Sequence, residues 1–390
     1  MVKVIRSQLG DLPTVLEDTF LISSNPRARF RQTLIMITNA IMSLTCAVSI
    51  YFLGLERSLE GSANFAVLTV TNAIKHIIYY FRKNEVRELL NVTVKLQEEH
   101  KKEWERKMFE DGSNDAWNDV HKFSVILTCY VIFVLALPSI LDFVIGIFFP
   151  DAISIGVHLP CEGLMDFLGP RSLERFVFTV VVLLWCFEAI TIDIGTESLT
   201  FIPIMYTKIE LRIIINKLLI IKNLMNEREI SYRDETEKLL REVISQHQRI
   251  LEILNSMSKT LGLPLAIHNS TFAITLCFSF YCIITIDESG SMAAKVQGTS
   301  AIIIIGSLLC ALCYFGEQLE TENQELLKAI YDLPWYNQNL NFRRAVLVMI
   351  RQSQKPLVIN YRLISNLNLQ TFMQIINKTY SYLMMLKSTV

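Results

Sequence analysis

Between Gln370 and Ser388 one residue per helical turn is polar or flexible: Gln370, Gln374, Asn377, Ser381, Met385 and Ser388. Phe372, Met373, Ile376, Tyr380 and Leu383 fill most of the remaining positions. In a membrane, such a row faces either water or other protein. Neutral amides and hydroxyls suit an aqueous path for hydrated cations better than a filter that strips ions bare. Met385, the largest apolar group of the row, is then the candidate for a dewetting gate near the outer mouth. The same row also suits hydrogen bonding to neighbouring helices within one chain, a common use of Asn, Gln and Ser in membranes. Since the chain offers one such helix, a pore requires several chains around an axis. Lys378 sits beside the row and would oppose cations there, so it is expected to point to a partner group.

Other residues with chemical potential are less organised. The histidines, His76, His100, His121, His158, His247 and His268, are scattered. No zinc-protease, nucleophile-elbow, phosphate-loop or dinucleotide fingerprint occurs, so neither an enzyme nor a cofactor is expected. Cys310 and Cys313 have metal-binding spacing but lie mid-span without a second pair, which favours packing in a helix. The other cysteines also fall in apolar stretches, apart from Cys161, so a disulfide framework is not expected. Asp142, Glu188, Asp193 and Glu197 are acids at membrane depth, where charge is costly. Pairing inside the bundle is the favoured reading for them, ahead of a ligand or ion role.

The elements that must carry these residues are transmembrane helices. Hydrophobic residues make up 51% of the 390-residue chain and charged ones 19%, more apolar surface than a soluble core absorbs, so the excess has to face lipid. A hydrocarbon layer of about 30 Å needs roughly 20 apolar residues. Six such runs stand out, at residues 33–54, 63–81, 123–149, 176–206, 264–286 and 298–318, with a more polar seventh at 367–386. The first twenty residues contain Asp11, Pro13 and Glu17, so no secretory signal is expected and insertion falls to the first span.

The basic residues orient the spans. Segments 1–32, 82–122, 207–263 and 319–366 hold 30 of the 37 Lys and Arg residues, which places them and the N-terminus in the cytoplasm and the C-terminus outside. G-protein-coupled receptors have the opposite orientation, so seven spans do not imply that class. The net charge of −1 gives no case for nucleic acid. The three outer loops, with Glu56, Glu60, Asp151, Glu162, Asp166, Glu174, Asp287 and Glu288, modestly favour cations outside.

Several cytoplasmic stretches have one apolar helical face. Leu240, Val243, Ile244, His247, Ile250, Leu251, Leu254 and Met257 recur at helical spacing, and 85–108 and 325–350 show similar patterns. Spans two, four and six are therefore expected to extend or refold into helices below the bilayer, packed either within the chain or between subunits. The expected organisation is an all-α, seven-transmembrane helical membrane protein. It comprises a cytoplasmic segment (1–32), spans one to four with their loops (33–206) and a cytoplasmic helical anchor (207–263). Spans five and six (264–318), a cytoplasmic anchor helix leading into the last span (319–366) and the pore-lining helix (367–390) complete it.

The C-terminal quarter carries Leu333-Pro334-Trp335-Tyr336, Phe342-Arg343-Arg344, Gln354-Lys355-Pro356-Leu357, Leu367-Asn368-Leu369 with Phe372, and Tyr380-Ser381-Tyr382. In order and spacing this set resembles the insect odorant receptor family, and the expected topology agrees over the whole length. It is similar to a ligand-tuning receptor rather than the shared co-receptor, because residues 207–263 leave no room for the co-receptor's large insertion. The resemblance implies a subunit of a four-chain, ligand-gated, non-selective cation channel, assembled with the co-receptor in the plasma membrane of olfactory sensory neurons. It also implies that the last helix lines the pore and that a small volatile odorant occupies a closed pocket in the outer half of the second, third, fourth and sixth spans. Residues at that depth are Thr69, Asn72, Ser139, Asp142, Phe143, Phe178, Val182, Trp185, Thr299 and Ile303. Phe178 and Trp185 equally suit lipid contact or interfacial anchoring. A gustatory-type receptor, sharing the topology but not the motif set, is the first alternative. A transporter is the second, although no internal repeat is apparent.

Overall fold

Uninterrupted apolar periodicity becomes long helices, and in the computed structural model, which describes residues 26–54, 62–100, 102–148, 173–226, 232–285, 292–361 and 365–389, nearly all residues are helical. In chain order the helices are α1 (Pro26–Leu53), α2 (Ser62–Phe81), α3 (Lys83–Glu99), α4 (Glu103–Tyr130), α5 (Leu137–Phe148), α6 (Leu173–Asn226), α7 (Tyr232–Thr285), α8 (Met292–Tyr331), α9 (Leu340–Ser353) and α10 (Leu369–Thr389). All seven expected spans lie on helices. By length and hydropathy alone, Thr33–Phe52, Asp234–Ile284 and Gly298–Asn337 are able to cross a membrane among the described residues. In α2 the polar Asn64, Asn72, Lys75 and His76 dilute an otherwise apolar sequence.

α6 and α7 each contain 54 residues. At 1.5 Å per residue that is about 80 Å, far more than a hydrocarbon layer of about 30 Å requires. Each therefore carries a span and a long extension in one rod, and α8 continues past its span in the same way to Tyr331. The extensions pack together: Leu211, Ile213, Ile214, Leu218 and Ile221 of α6, with Phe109 of α4, Val243 and Met257 of α7, and Leu326 and Ile330 of α8, form one fully buried core. Phe109 meets Tyr206 edge to face at 5.0 Å between ring centroids.

Four local departures from simple periodicity have physical causes. The helical pattern across 85–108 is broken: α3 ends at Glu99 because His100 adopts extended geometry, φ −73° and ψ 106°, and α4 starts at Glu103. The pattern across 325–350 is also broken, because Pro334 cannot donate to a helix ladder and restricts Leu333 before it. The chain makes a short 3₁₀ turn at Trp335–Asn337. Asn339 then restarts it as the N-cap of α9, its side-chain oxygen accepting from Phe342 N at 2.8 Å.

Pro264, where the fifth span is expected to begin, lies inside α7, which runs on from the segment before it. Its missing N–H would have served the carbonyl of Thr260, and Arg82 at the end of α2 donates there instead, at 3.5 Å, and also to the carbonyl of Lys259. The third span contains a π-helical turn at Val131–Ala136, just before Pro138.

The chain leads into the last helix through a two-stranded antiparallel pairing of β1 (Asn360–Tyr361) with β2 (Ser365–Asn366), Asn360 opposite Asn366. α8 holds this connection. Glu320 Oε2 accepts from Leu357 N at 2.8 Å, and Asn323 Nδ2 donates to the carbonyls of Ser353 and Lys355 at 3.0 and 3.1 Å. The Gln354-Lys355-Pro356-Leu357 motif is thus fixed through its backbone.

Candidate functional site

The last helix begins where Asn368 caps it, Oδ1 accepting from both the backbone N and the hydroxyl of Thr371 at 2.9 Å. It enters tight against α8. A Cβ on Gly316 would collide with the carbonyl of Leu367, so only glycine allows this approach. One edge of α10 is buried, through Thr371, Ile375 and Thr379. The Thr379 hydroxyl donates to the Ala273 carbonyl of α7 at 3.3 Å and to the Ile375 carbonyl of its own helix at 3.0 Å.

The polar row lies on the other side. Gln370, Gln374, Asn377, Ser381, Met385 and Ser388 are all exposed in the single chain, as is Lys378 beside them. Ser381 and Ser388 turn their hydroxyls back to the carbonyls of Asn377 and Met385, at 3.0 and 2.7 Å. These bonds stay within α10. The row therefore faces away from the bundle to which the buried edge is attached.

The residues expected around the ligand fall into three groups. Val182 and Trp185 are buried in one cluster with Cys186 and Ala189, against which Phe178, Leu183 and Met42 of α1 pack. The Trp185 indole donates to Asn39 Oδ1 of α1 at 3.2 Å, so the first span contributes to this cluster. Thr69 and Asn72 are buried on α2, and Ser139 is half-buried on α5. Thr299 and Ile303 are exposed on α8, the Thr299 hydroxyl turned back to the Lys295 carbonyl, so the single chain does not bring them to the Trp185 cluster. The side chains of Asp142 and Phe143 lie outside the described residues.

The described residues contain two buried charge clusters; Glu197 is paired inside the bundle as expected, but its partners and the second cluster are not identified by the sequence. In the first, Glu197 Oε1 of α6 is 3.5 Å from Lys75 Nζ of α2 and 2.8 Å from His268 Nδ1 of α7. All three side chains are less than a tenth exposed. Glu197 and Lys75 are each visible in the sequence as a charge within an apolar run, and the one available signal is that their signs are opposite. The second joins the α3–α4 junction to α6: His100 Nε2 is 2.7 Å from Glu210 Oε1, and Glu105 bridges His100 Nδ1 at 3.5 Å and Lys217 Nζ at 3.0 Å. Among the described residues no group of His, Cys, Asp and Glu has metal-binding geometry.

Similarity to known proteins agrees with this architecture. The family described as 7tm Odorant receptor matches residues 59–380. Three relatives from Drosophila melanogaster align over part of their length. Odorant receptor 19a is 27% identical over 37% of this chain and 36% of its own, and odorant receptor 49a is 26% identical over 40% of each. Odorant receptor 46a, isoform A, is 24% identical over 53% of this chain and 54% of its own. The aligned segments thus span from about a third to about half of those relatives. The fold is similar to that of the insect olfactory receptor OR5 from Machilis hrabei, with a TM-score of 0.69 at 11% identity over 99% of this chain and 98% of that one. Against the same receptor in complex with eugenol the TM-score is 0.73, again at 11% identity, covering 99% of both chains.

Proposed function

Because this chain belongs to the 7tm odorant receptor family, we propose that it is the odorant-binding subunit of a heteromeric, ligand-gated, non-selective cation channel that detects small volatile apolar molecules. The observation that carries this reading is the exposure of the whole Gln370–Ser388 polar row, on a side of α10 distinct from the buried edge of Thr371, Ile375 and Thr379. Six polar or flexible side chains per helix, turned away from their own bundle, need water or other subunits around them. Four such helices about an axis line a conduit, with the co-receptor supplying the remaining subunits. Met385, near the outer end, narrows it. The anchor segments 207–263 and 319–366 lie in the cytoplasm, where the concentration of Lys and Arg favours them.

The ligand wall in this reading is the Trp185 cluster with Thr69, Asn72 and Ser139. A volatile of a dozen heavy atoms would bind mainly by burying apolar surface, at about 25 cal/mol per Å², with one or two hydroxyls or amides setting its orientation. Eugenol, the ligand of the similar Machilis complex, has that chemistry: an aromatic body with small polar groups at one end. Binding drives gating only by favouring the open arrangement over the closed one. In that arrangement the outer end of α10 moves off the axis and carries Met385 out of the path.

The chain is a membrane protein, and the working assembly is placed in the plasma membrane of olfactory sensory neurons. Whole-cell recording with the co-receptor and a panel of volatiles tests the reading. Odorant-evoked, weakly selective cation current is expected. Silence from protein that reaches the cell surface overturns the proposal, and current without the co-receptor would favour a gustatory-type channel.

A further inference from the structure

The helices that carry the proposed ligand wall are also the helices joined by the Glu197 cluster. Trp185 and Val182 lie on α6 above Glu197, and Thr69 and Asn72 lie on α2 above Lys75. Glu197 Oε1 gathers Lys75 Nζ and His268 Nδ1 at 3.5 and 2.8 Å, so three helices meet at a single oxygen. The other oxygen, Oε2, accepts no hydrogen bond from a described residue, so both ion-pair contacts of the carboxylate run through Oε1.

From His268 the contacts lead to α10. The imidazole meets Phe272, one turn further along α7, in a tilted contact with ring centroids 3.9 Å apart. The next residue is Ala273, whose carbonyl accepts from the Thr379 hydroxyl on the buried edge of α10. A rotation of α6 or α2 at the ligand wall therefore pulls on Glu197, then on His268 and the Phe272–Ala273 turn, and then on the helix bearing the polar row.

We propose that Glu197, held by Lys75 and His268, is a positioning residue that transmits odorant occupancy from α2 and α6 through α7 to α10. The inference rests on the channel reading above. Charge in this setting is too costly to persist unpaired, so the three groups move together or separate at a large penalty, which makes the joint stiff enough to carry a displacement.

The test uses the full-length receptor co-expressed with its co-receptor. The probe is whichever of a panel of phenolic, terpenoid and ester volatiles, eugenol among them, evokes the largest wild-type current. Three quantities are read: surface amount, half-saturating probe concentration from ligand-dependent thermal stabilisation of the purified complex, and maximal current per surface receptor. Glu197→Gln is expected to lower maximal current per receptor at least tenfold while moving half-saturation less than threefold. Glu197→Asp, which keeps the charge, should recover most of that loss. Thr379→Val should reproduce the Glu197→Gln signature from the other end, and adding Lys75→Met to Glu197→Gln should cost little more than Glu197→Gln alone.

Current that falls only in proportion to surface amount would overturn the inference by making the cluster a folding element. Equal losses in binding and current would overturn it by making Glu197 part of the ligand wall. Variants indistinguishable from wild type would also overturn it. A wild type without odorant-evoked current removes the channel reading, and this inference with it, and is recognised before any variant is made.

Discussion

His100 Nε2 lies 2.7 Å from Glu210 Oε1, with both side chains buried, at the point where the chain passes from α3 to α4 against α6. Burial opposes charging of the imidazole, but the Glu210 and Glu105 carboxylates outweigh it, so the pKa of His100 sits above its ordinary 6.5. The cluster thus brings His100 and Lys217 against Glu105 and Glu210. A raised folded-state pKa means the stabilisation is complete below pH 6.5 and is lost as pH climbs through the folded value. His247 acts on the other side of that point: burial lowers its pKa, so its contribution is complete above 6.5 and lost as pH falls.

Thermal unfolding of the detergent-solubilised receptor checks this. The wild-type midpoint should fall as pH rises above 6.5 through the raised folded-state value, and His100→Gln should lose that His100-linked decline while starting roughly 3 kcal/mol less stable at the acidic end. Parallel curves for the two proteins would contradict the assignment.

The Trp185–Asn39 bond gives a second expectation. Asn39→Ala leaves a buried indole N–H without its acceptor, at a cost of about 1–3 kcal/mol, and loosens α1 from the ligand wall. A shifted Trp emission and a several-fold weaker odorant response should appear together. Trp185→Phe in the Asn39→Ala background should recover stability but not potency, because it removes the orphaned donor while shrinking the wall.

Gly316 should resist even the smallest substitution. The obstruction is the Leu367 backbone and not a movable side chain, so Gly316→Ala must displace the start of α10. Destabilisation of about 1–3 kcal/mol and a marked drop in surface expression are expected. Gly306→Ala, where a Cβ meets nothing, is the matched control and should express like wild type.

Substitutions in the exposed row should separate folding from conduction. Gln374→Leu and Asn377→Leu leave every contact of the buried edge intact, so expression should hold while single-channel conductance falls, by about twofold or more, as the path loses polar groups. Met385→Ala should raise basal current. Unaltered permeation and gating in all three would place the row against protein instead of water.

How much of the fold and the site was legible in one dimension depends on the range of the cause. The helices and the membership of the α10 row come from local periodicity, which needs no partner. Which side of α10 is buried does not, because Thr371, Ile375 and Thr379 are chosen by α7 and α8. The breaks at His100 and Pro334 interrupt patterns that look continuous on a helical wheel. The tolerance of Pro264 inside α7 is equally non-local: Arg82, far away in sequence, donates to the Thr260 carbonyl that the proline cannot serve. Lys75, Glu197 and His268 are individually conspicuous or bland, and their meeting is purely a matter of packing. Asn39 carried no signal at all, being one more polar residue in an apolar run.

The π-helical turn at Val131–Ala136 works as a one-residue insertion in the third span. Each added residue rotates the helix beyond it by about 100°, so everything from Leu137 onward is re-phased relative to α4. Ser139 therefore belongs to a different angular frame from the residues before the turn, and a helical wheel drawn through the whole span would misplace it relative to the proposed ligand wall. A receptor that shifts this turn by a few positions exchanges the side chains presented inward without changing one of them, which offers a route to altered odour tuning that sequence comparison of the wall residues would miss.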